Sequence, residues 1–170
     1  MKIIMIGIQG AGKSTQGNML SEELGIPYLS SGHIFRQMAK EKSAWGRYVK
    51  ETINSGALMP DSKTVKIIEE YLSRDEYAKG YILDGFPRTV KQAKMFSNGV
   101  DVVVYLDVSD KEAVWRLYGR MKDEINGGRA DNTLEAIKTR IEMFHKHTKP
   151  VITHYKRRRL LEDIDGERDI

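Results

Sequence analysis

The first 24 residues contain the feature that most limits what this chain can fold into. Residues 2–7, KIIMIG, include a short apolar, β-branched run that is typical of a central strand buried on both faces of a parallel sheet. The glycine-rich stretch GIQGAGKSTQ (residues 7–16) follows at once. Residues 13–24 then have helical spacing and end before Gly25. A strand that passes through a glycine loop into a helix predicts an α/β fold with right-handed crossovers.

Predicted strands and helices also alternate along the remainder of the chain. We expect further strands at 26–30, 81–85, 100–108 and 159–165, and helices at 89–97, 109–120 and 132–155, with Pro150 dividing the last helix. Residues 32–74 are predicted to be mostly helical, with breaks at Ser55-Gly56 and Met59-Pro60. The polar segment 121–131 is predicted to be a loop between two helices. The sequence therefore predicts one domain over residues 1–170, with a five-stranded parallel sheet flanked by helices.

The glycine-rich stretch fits the phosphate-loop pattern G-x-x-x-x-G-K-[ST], through Gly7, Gly12, Lys13 and Ser14. Glycines let several backbone N–H groups converge on one anion, and the helix that follows adds the positive end of its dipole. Lys13 can reach the β- and γ-phosphates of a nucleoside triphosphate, and the Ser14 hydroxyl can bind Mg²⁺. A chance glycine turn with a lysine is the alternative, but the expected strand and helix on either side favour a phosphate site.

A second candidate site follows the third predicted strand, in YILDGFPRTVKQ (81–92). Asp84 ends that strand, at the edge of the sheet where ligands bind in open α/β folds, and its carboxylate could hold waters of Mg²⁺. Arg88 offers a planar fork of donors to a second phosphate. The alternatives are that Asp84 caps a helix and that Arg88 is a solvated surface residue.

Four arginines surround the polar segment 121–131. Arg116 and Arg120 lie four residues apart on one predicted helical face, Arg129 lies near the end of the segment, and Arg140 lies on the next helix. Each alone could belong to a solvated face, but as a set they predict a lid that closes over transferring phosphates. Residues 156–159, KRRR, end a helix, where cations stabilise the dipole; this interpretation is favoured over nucleic-acid binding.

Composition excludes several classes of protein. The chain contains no cysteine, so it has neither disulfides nor zinc–thiolate sites, and its net charge of +4 is a mild excess. No apolar stretch approaches a membrane span, and the first apolar run is too short for a signal-peptide core. A guanine-reading N-K-x-D motif is absent, which argues against a GTPase-type switch. We expect a cytoplasmic protein.

Seven motifs, in order along almost the whole chain, resemble those of adenylate kinases and related nucleoside monophosphate kinases. They are GIQGAGKSTQ (7–16), LSSGHIFRQ (29–37), SGALMPD (55–61), LDGFPRTVKQ (83–92), RLYGR (116–120), RAD (129–131) and IDGER (164–168). The resemblance implies a P-loop NTPase fold with a helical monophosphate-binding segment, roughly 30–60, and a short lid, 121–131. Both segments would close over the substrates.

The resemblance also implies a set of site residues. ATP would contact Gly10, Ala11, Gly12, Lys13, Ser14, Thr15, Arg116, Arg120 and Arg168. The monophosphate would contact Ser31, Gly32, Arg36, Ala57, Leu58, Met59, Gly85, Phe86, Pro87, Arg88, Gln92, Arg129 and Arg140. The residues expected to stabilise the transition state are Lys13, Arg88, Arg120, Arg129 and Arg140, and Mg²⁺ would be held by Ser14 and, through water, by Asp84.

Three departures from the family pattern stand out. His33 replaces the usual aspartate, which alters the surroundings of Mg²⁺ unless His33 simply caps a helix. Ser31 replaces threonine but keeps the hydroxyl. The family normally continues into one more helix beyond Ile170. The short lid, without cysteine, cannot carry the zinc of some longer lids.

The resulting functional hypothesis is ATP + AMP = 2 ADP, by direct in-line transfer with positioned charges and no protein nucleophile. Gln92 can pair with an adenine edge, and Thr89, where pyrimidine kinases tend to have asparagine, also favours AMP. A kinase for UMP, CMP or another monophosphate remains the nearest alternative. A nucleotide- or RNA-binding module without transferase activity is a more distant one. We expect a monomer whose partners are the nucleotides, with no membrane association and no nucleic acid.

Overall fold

Five parallel strands form a single sheet in the computed structural model, which describes residues 1–123 and 133–168, without the side chains of 120–123. The strand order across the sheet is β2, β3, β1, β4, β5. Their bounds are β1 Lys2–Gly7, β2 Tyr28–Ser30, β3 Tyr81–Asp84, β4 Val102–Asp107 and β5 Leu161–Asp165. The predicted α/β fold with a five-stranded parallel sheet is confirmed.

Helices connect the strands. Their bounds are α1 Lys13–Leu24, α2 Ser31–Met38, α3 Ala44–Asn54, α4 Asp61–Leu72, α5 Val90–Met95, α6 Asp110–Asp123, α7 Leu134–Met143 and α8 Lys149–Arg157. A short 3₁₀ turn, Asp75–Tyr77, precedes β3. Within residues 1–123 and 133–168, none of the helices is both long and apolar enough to span a bilayer.

The register of the central strands decides which side chains meet at the functional edge of the sheet, which is the edge at the C-terminal ends of the strands. Met5 of β1 lies beside Asp84 of β3, and Ser30 of β2 lies on the other side of Asp84. All strands run in the same direction, so the loops after β1, β2 and β3 emerge at one edge. Behind this edge, the side chains of Ile4 and Ile82 are fully buried and anchor the core.

The segment between β2 and β3 has a small core of its own. Phe35, Val49 and Met59 are buried together, outside the main cluster beneath the sheet. The predicted breaks at 55–56 and 59–60 separate α3 from α4, and a further irregular stretch, 39–43, which the sequence did not predict, separates α2 from α3.

The helix expected over 132–155 is divided close to Pro150, as the sequence predicted. Helix α7 ends at Met143, a π-helical segment spans Phe144–Thr148, and Pro150 lies in the first turn of α8. One predicted boundary was wrong. Helix α6 continues through residue 123, so residues 121–123 of the predicted loop are helical. The rest of that segment, 124–131, lies outside the described residues.

Candidate active site

The loop between β1 and α1 has the geometry of an anion cradle. Gly10 and Gly12 have φ values of 92° and 91°, a conformation that a residue with a Cβ adopts only with strain. Among the described residues no side chain caps the first turn of α1, so its backbone N–H groups are left available to an anion. The Lys13 Nζ donates to the carbonyls of Gly7 and Ile8, at 2.9 and 3.0 Å, which folds the ammonium group back over the loop.

Asp84 ends β3 as a buried carboxylate, 8% exposed. The Tyr28 hydroxyl donates a 2.6 Å hydrogen bond to its Oδ2 atom. The other oxygen, Oδ1, is buried and has no hydrogen-bond partner among the residues that the structure describes. Asp84 is therefore not a helix cap, and one of its oxygens is available to a ligand.

This arrangement fits a hydrated Mg²⁺. The ion prefers oxygen ligands, keeps several waters and is usually held by one or two carboxylates together with substrate phosphates. A buried carboxylate with an unused oxygen, at the same sheet edge as the phosphate loop, suits that chemistry. Ser14, exposed in the first turn of α1, would add its hydroxyl.

Arg88 is held in a tight turn after β3. Gly85 has a φ of 77°, and its carbonyl accepts the Arg88 Nε–H at 2.8 Å. The backbone carbonyl of Arg88 accepts the Thr148 hydroxyl at 2.9 Å. Arg88 is half-buried rather than a solvated surface arginine, which corrects the alternative left open by the sequence.

Charge around Arg88 is predominantly positive. Burial lowers the pKa of its guanidinium from the ordinary value, and the charges of Arg140 and Arg36 lower that pKa further, whereas Asp84 raises it. Arg88 therefore lies in a partly desolvated cleft with two further arginine charges close enough to affect it, an arrangement that suits a multiply charged anion.

Gln92 is packed behind the Arg88 turn, with 1% of its surface exposed. Its side-chain Oε1 accepts the Arg88 backbone N–H at 2.7 Å, while the backbone N–H of Gln92 donates to Thr89 Oγ1 at 3.0 Å. Thr89 in turn donates to Asp61 Oδ1 at 2.8 Å. Because the amide oxygen is occupied, the NH₂ group is the end that remains for a ligand.

Arg140 connects two sides of the cleft, α7 and the segment between β2 and β3. Its Nη2 donates a 2.9 Å hydrogen bond to the carbonyl of Ile53, near the C-terminal end of α3. Helix α7 therefore contacts the segment predicted to hold the monophosphate. Gly56 allows this approach, because a Cβ there would lie 2.6 Å from the carbonyl oxygen of Ala136.

One cleft contains most of the residues predicted from the sequence. It is lined by Gly10, Gly12, Lys13, Ser14, Gly32, Arg36, Ala57, Leu58, Met59, Asp84, Gly85, Phe86, Pro87, Arg88, Gln92 and Arg140. Two others lie close to it: Ala11 is buried within the phosphate loop, and Thr15 is exposed in the first turn of α1. Ser31 is buried at the start of α2, and its hydroxyl has no partner within the described part of the chain.

Other predicted residues are not in this cleft. Arg116 lies on α6 and bonds Glu112 at 2.7 Å, and Arg168 is exposed beside Asp165 in a separate depression at the ends of β4 and β5. Arg129 lies outside the described residues, and only the backbone of Arg120 is described. His33 is exposed, and its backbone N–H donates to Ser30 Oγ at 3.4 Å. The cap of α2 is therefore Ser30, not His33.

Two contributors to the site were missed from the sequence. Tyr28 binds Asp84, and Thr148 binds the Arg88 backbone. Both bonds join residues 56 or more positions apart, so no local pattern marks them. A tyrosine two residues before the end of β2 would have been a signal only if the β2–β3 register had been known.

A phosphate loop on the central strand of a parallel sheet, with a cationic pocket opposite, defines a P-loop nucleotide-binding protein. The adenylate kinase family model matches residues 5–160. The chain therefore belongs to the adenylate kinase family, which is a family of phosphotransferases.

Curated relatives agree with the family match. The adenylate kinase of Staphylococcus aureus (strain Mu50) is 34% identical over 201 aligned residues, covering 100% of this chain and 94% of its own length. That of Methanocella arvoryzae is 35% identical, covering 100% of this chain and 93% of its own. That of Leptospira biflexa is 41% identical over 172 residues, covering 97% and 91%. The staphylococcal alignment exceeds the 170 residues of this chain, so that relative contains segments that this chain lacks.

Proposed function

We propose that the protein transfers the γ-phosphoryl group of ATP to AMP and releases two molecules of ADP. The observation that carries the proposal is that a single cleft joins the phosphate loop to the pocket formed by Arg36, Arg88 and Arg140. Two anionic substrates bound at its two ends would meet between Lys13 and Arg88. Membership of the adenylate kinase family supports the same reaction.

The chemistry needs positioning and charge rather than a protein nucleophile. The attacking phosphate oxygen of AMP and the leaving oxygen of ADP must lie in line about the transferred phosphorus. Lys13 and Arg88 would stabilise charge on the transferring group, and Arg140, Arg120 and Arg129 would add donors when residues 30–60 and 121–131 close. Closure would exclude water and so limit hydrolysis of ATP.

Mg²⁺ would be held beside the phosphates by Ser14 and, through water, by Asp84. When bound, it would neutralise phosphate charge and orient the triphosphate. Asp84 contributes a fixed carboxylate oxygen for this purpose, and the phosphate loop contributes converging N–H groups.

The choice of AMP rests on the hydrogen-bonding pattern of Gln92. With its oxygen bound to the Arg88 N–H, the amide offers a donor to the base. N1 of adenine and N3 of cytosine accept a hydrogen bond, whereas N1 of guanine and N3 of uracil carry a hydrogen of their own. A hydrogen bond from the amide to this ring nitrogen would favour AMP over UMP and GMP, and the family match favours AMP over CMP.

A coupled assay with ATP and each of AMP, CMP, UMP, GMP and dTMP tests the proposal. We expect AMP to give the highest kcat/KM. Arg88→Ala should lower kcat by at least about 10²–10³, the loss typical of one transition-state donor. Arg157→Ala, which removes an exposed arginine of α8 outside the cleft, is the matched control. Clear preference for a pyrimidine monophosphate, or near wild-type turnover by Arg88→Ala, would refute the assignment.

A further inference from the structure

The hydrogen bond from Tyr28 to Asp84 crosses between neighbouring strands at the functional edge. Tyr28 begins β2 opposite Ile82, and the strand pairing places Ser30, not Tyr28, opposite Asp84. The side chain of Tyr28 therefore reaches along the sheet to the carboxylate, where its hydroxyl lies 2.6 Å from Oδ2. This bond occupies one carboxylate oxygen and leaves Oδ1, which is buried, without a partner among the described residues.

The ring of Tyr28 is itself fixed by the helix that follows the phosphate loop. A Cβ at Gly17 would lie 2.5 Å from the ring atom Cε2 and 3.0 Å from the Met5 sulfur. Only glycine lets the ring lie this close to α1. Gly17 is three residues after Ser14, so both face the same side of α1. Tyr28 therefore packs against the helix that carries the Ser14 hydroxyl while it bonds Asp84.

We propose that Tyr28 is a positioning residue that locks the Asp84 carboxylate through Oδ2, so that Oδ1 is the oxygen presented to the waters of a nucleotide-bound divalent cation. The inference rests on the proposed function. A carboxylate that is free to rotate loses entropy when it binds a metal hydrate, and a fixed one does not. Gly17 supports this role of Tyr28, because it lets the Tyr28 ring approach α1, the helix that follows the phosphate loop.

The test measures metal binding without turnover. Mn²⁺ is titrated into the protein with the non-hydrolysable analogue AMP-PNP, without AMP, and free Mn²⁺ is read by electron paramagnetic resonance. Tyr28→Phe should weaken Mn²⁺ binding to the protein–nucleotide complex by about 10-fold or more, as is typical when a residue that supports a metal ligand is lost. Calorimetry should find the affinity for metal-free AMP-PNP unchanged within about twofold, since no phosphate contact is removed.

Tyr105→Phe is the matched control. The Tyr105 hydroxyl donates to Asp107 Oδ1 at 2.8 Å, near the C-terminal end of β4, so this variant also loses one tyrosine–aspartate bond. Neither residue lines the cleft. The Tyr105→Phe variant should bind Mn²⁺ with the wild-type affinity.

A double-mutant cycle tests whether Tyr28 acts through Asp84. In an Asp84→Asn background, Tyr28→Phe should cause no further loss of Mn²⁺ affinity, because the carboxylate that it positions is gone. Steady-state kinetics should separate two effects of Tyr28→Phe. The Mg²⁺ concentration for half-maximal rate should rise, while kcat at saturating Mg²⁺ should change little. Each variant is assayed below its melting temperature, as followed by circular dichroism.

Three results would overturn the inference. They are wild-type Mn²⁺ affinity in Tyr28→Phe, an equal loss in Tyr105→Phe, or an undiminished effect of Tyr28→Phe in the Asp84→Asn background. Failure of the proposed function gives a different result: the wild type would bind Mn²⁺ with AMP-PNP but phosphorylate no monophosphate. If the wild type with AMP-PNP bound no Mn²⁺, both would be refuted.

Discussion

Two substitutions at Gln92 can separate its structural role from its proposed role in base recognition. Its oxygen accepts the Arg88 backbone N–H at 2.7 Å in an environment where the residue is 1% exposed. Gln92→Leu removes both the acceptor and the NH₂ donor. Gln92→Glu keeps an acceptor for the Arg88 N–H but replaces the NH₂ group with a second acceptor oxygen.

The magnitudes follow from which groups lose a partner. In Gln92→Leu the Arg88 N–H is left buried without an acceptor, which should destabilise the protein by about 1–3 kcal/mol. For a protein of this size, each kcal/mol lowers Tm by about 2–4 °C. Gln92→Glu keeps the acceptor for this N–H but buries a carboxylate, so its Tm should fall less than that of Gln92→Leu without staying at the wild-type value. Both variants lose the proposed donor to adenine, and kcat/KM for AMP should fall by about 10–100-fold.

Thermal melts and steady-state kinetics with AMP measure the two effects independently. The expected result is that both variants lose activity, whereas Gln92→Leu loses more stability than Gln92→Glu. Retention of wild-type kcat/KM for AMP by a stable Gln92→Glu would show that the amide only supports the Arg88 turn, and the residue-level argument for AMP would fail. Lys94→Ala, on the exposed face of the same helix, should change neither quantity.

Three further predictions concern the loop, the contact between the two halves of the cleft and the core. In Gly10→Ala the new Cβ would lie 2.7 Å from a backbone carbonyl oxygen of α6. Urea unfolding should therefore show that the free energy of unfolding falls by about 1–3 kcal/mol, and calorimetry should show weaker ATP binding. Gly99→Ala is the control, because Gly99 also has a positive φ but no atom lies within 4 Å of its Cβ position. Arg140→Ala removes the bond to the Ile53 carbonyl, and kinetics should show a higher KM for AMP with kcat lowered by about 10²-fold. Burial raises the pKa of Tyr155 to about 12, so the folded state holds a proton that the unfolded state releases near pH 10. Stability should therefore fall as pH rises from 10 to 12, and urea titrations of Tyr155→Phe should show a smaller fall.

The strands and the phosphate loop could be predicted because their determinants are local. The run Ile3 to Ile6 is apolar at every position, and Gly10, Gly12 and Lys13 follow it directly, so the strand, turn and helix are all encoded within a short stretch. The same holds for the Thr89 cap of α5. The side chain of Thr89 accepts the N–H of Gln92, three residues further on, as a helix N-terminus requires.

Contacts between distant segments could not be predicted in the same way. The bond between Tyr28 and Asp84 depends on the register of two strands that are separated by three helices. The backbone of Arg88 is bonded by Thr148, which follows it by 60 positions and lies in a π-helical segment that no local pattern indicated. Sequence identified which residue types the site needs, whereas the fold decided which of their atoms are already occupied.

The arginine cluster links the stability of the protein to its proposed activity. Burial lowers the pKa of Arg88, and the charges of Arg140 and Arg36 lower that pKa further, although Asp84 partly offsets them, so the charged form of Arg88 is less favoured in the folded protein than in water. Arg88 nevertheless stays ionised, because the ordinary pKa of arginine is so high that such a shift does not neutralise it. The folded protein therefore bears a repulsion that an AMP phosphate would relieve on binding. When the arginines are already desolvated and oriented before the ligand arrives, binding does not have to supply that part of the free energy. An arginine held by the rigid turn at Gly85 therefore suits phosphoryl transfer between two anions better than a flexible surface arginine would.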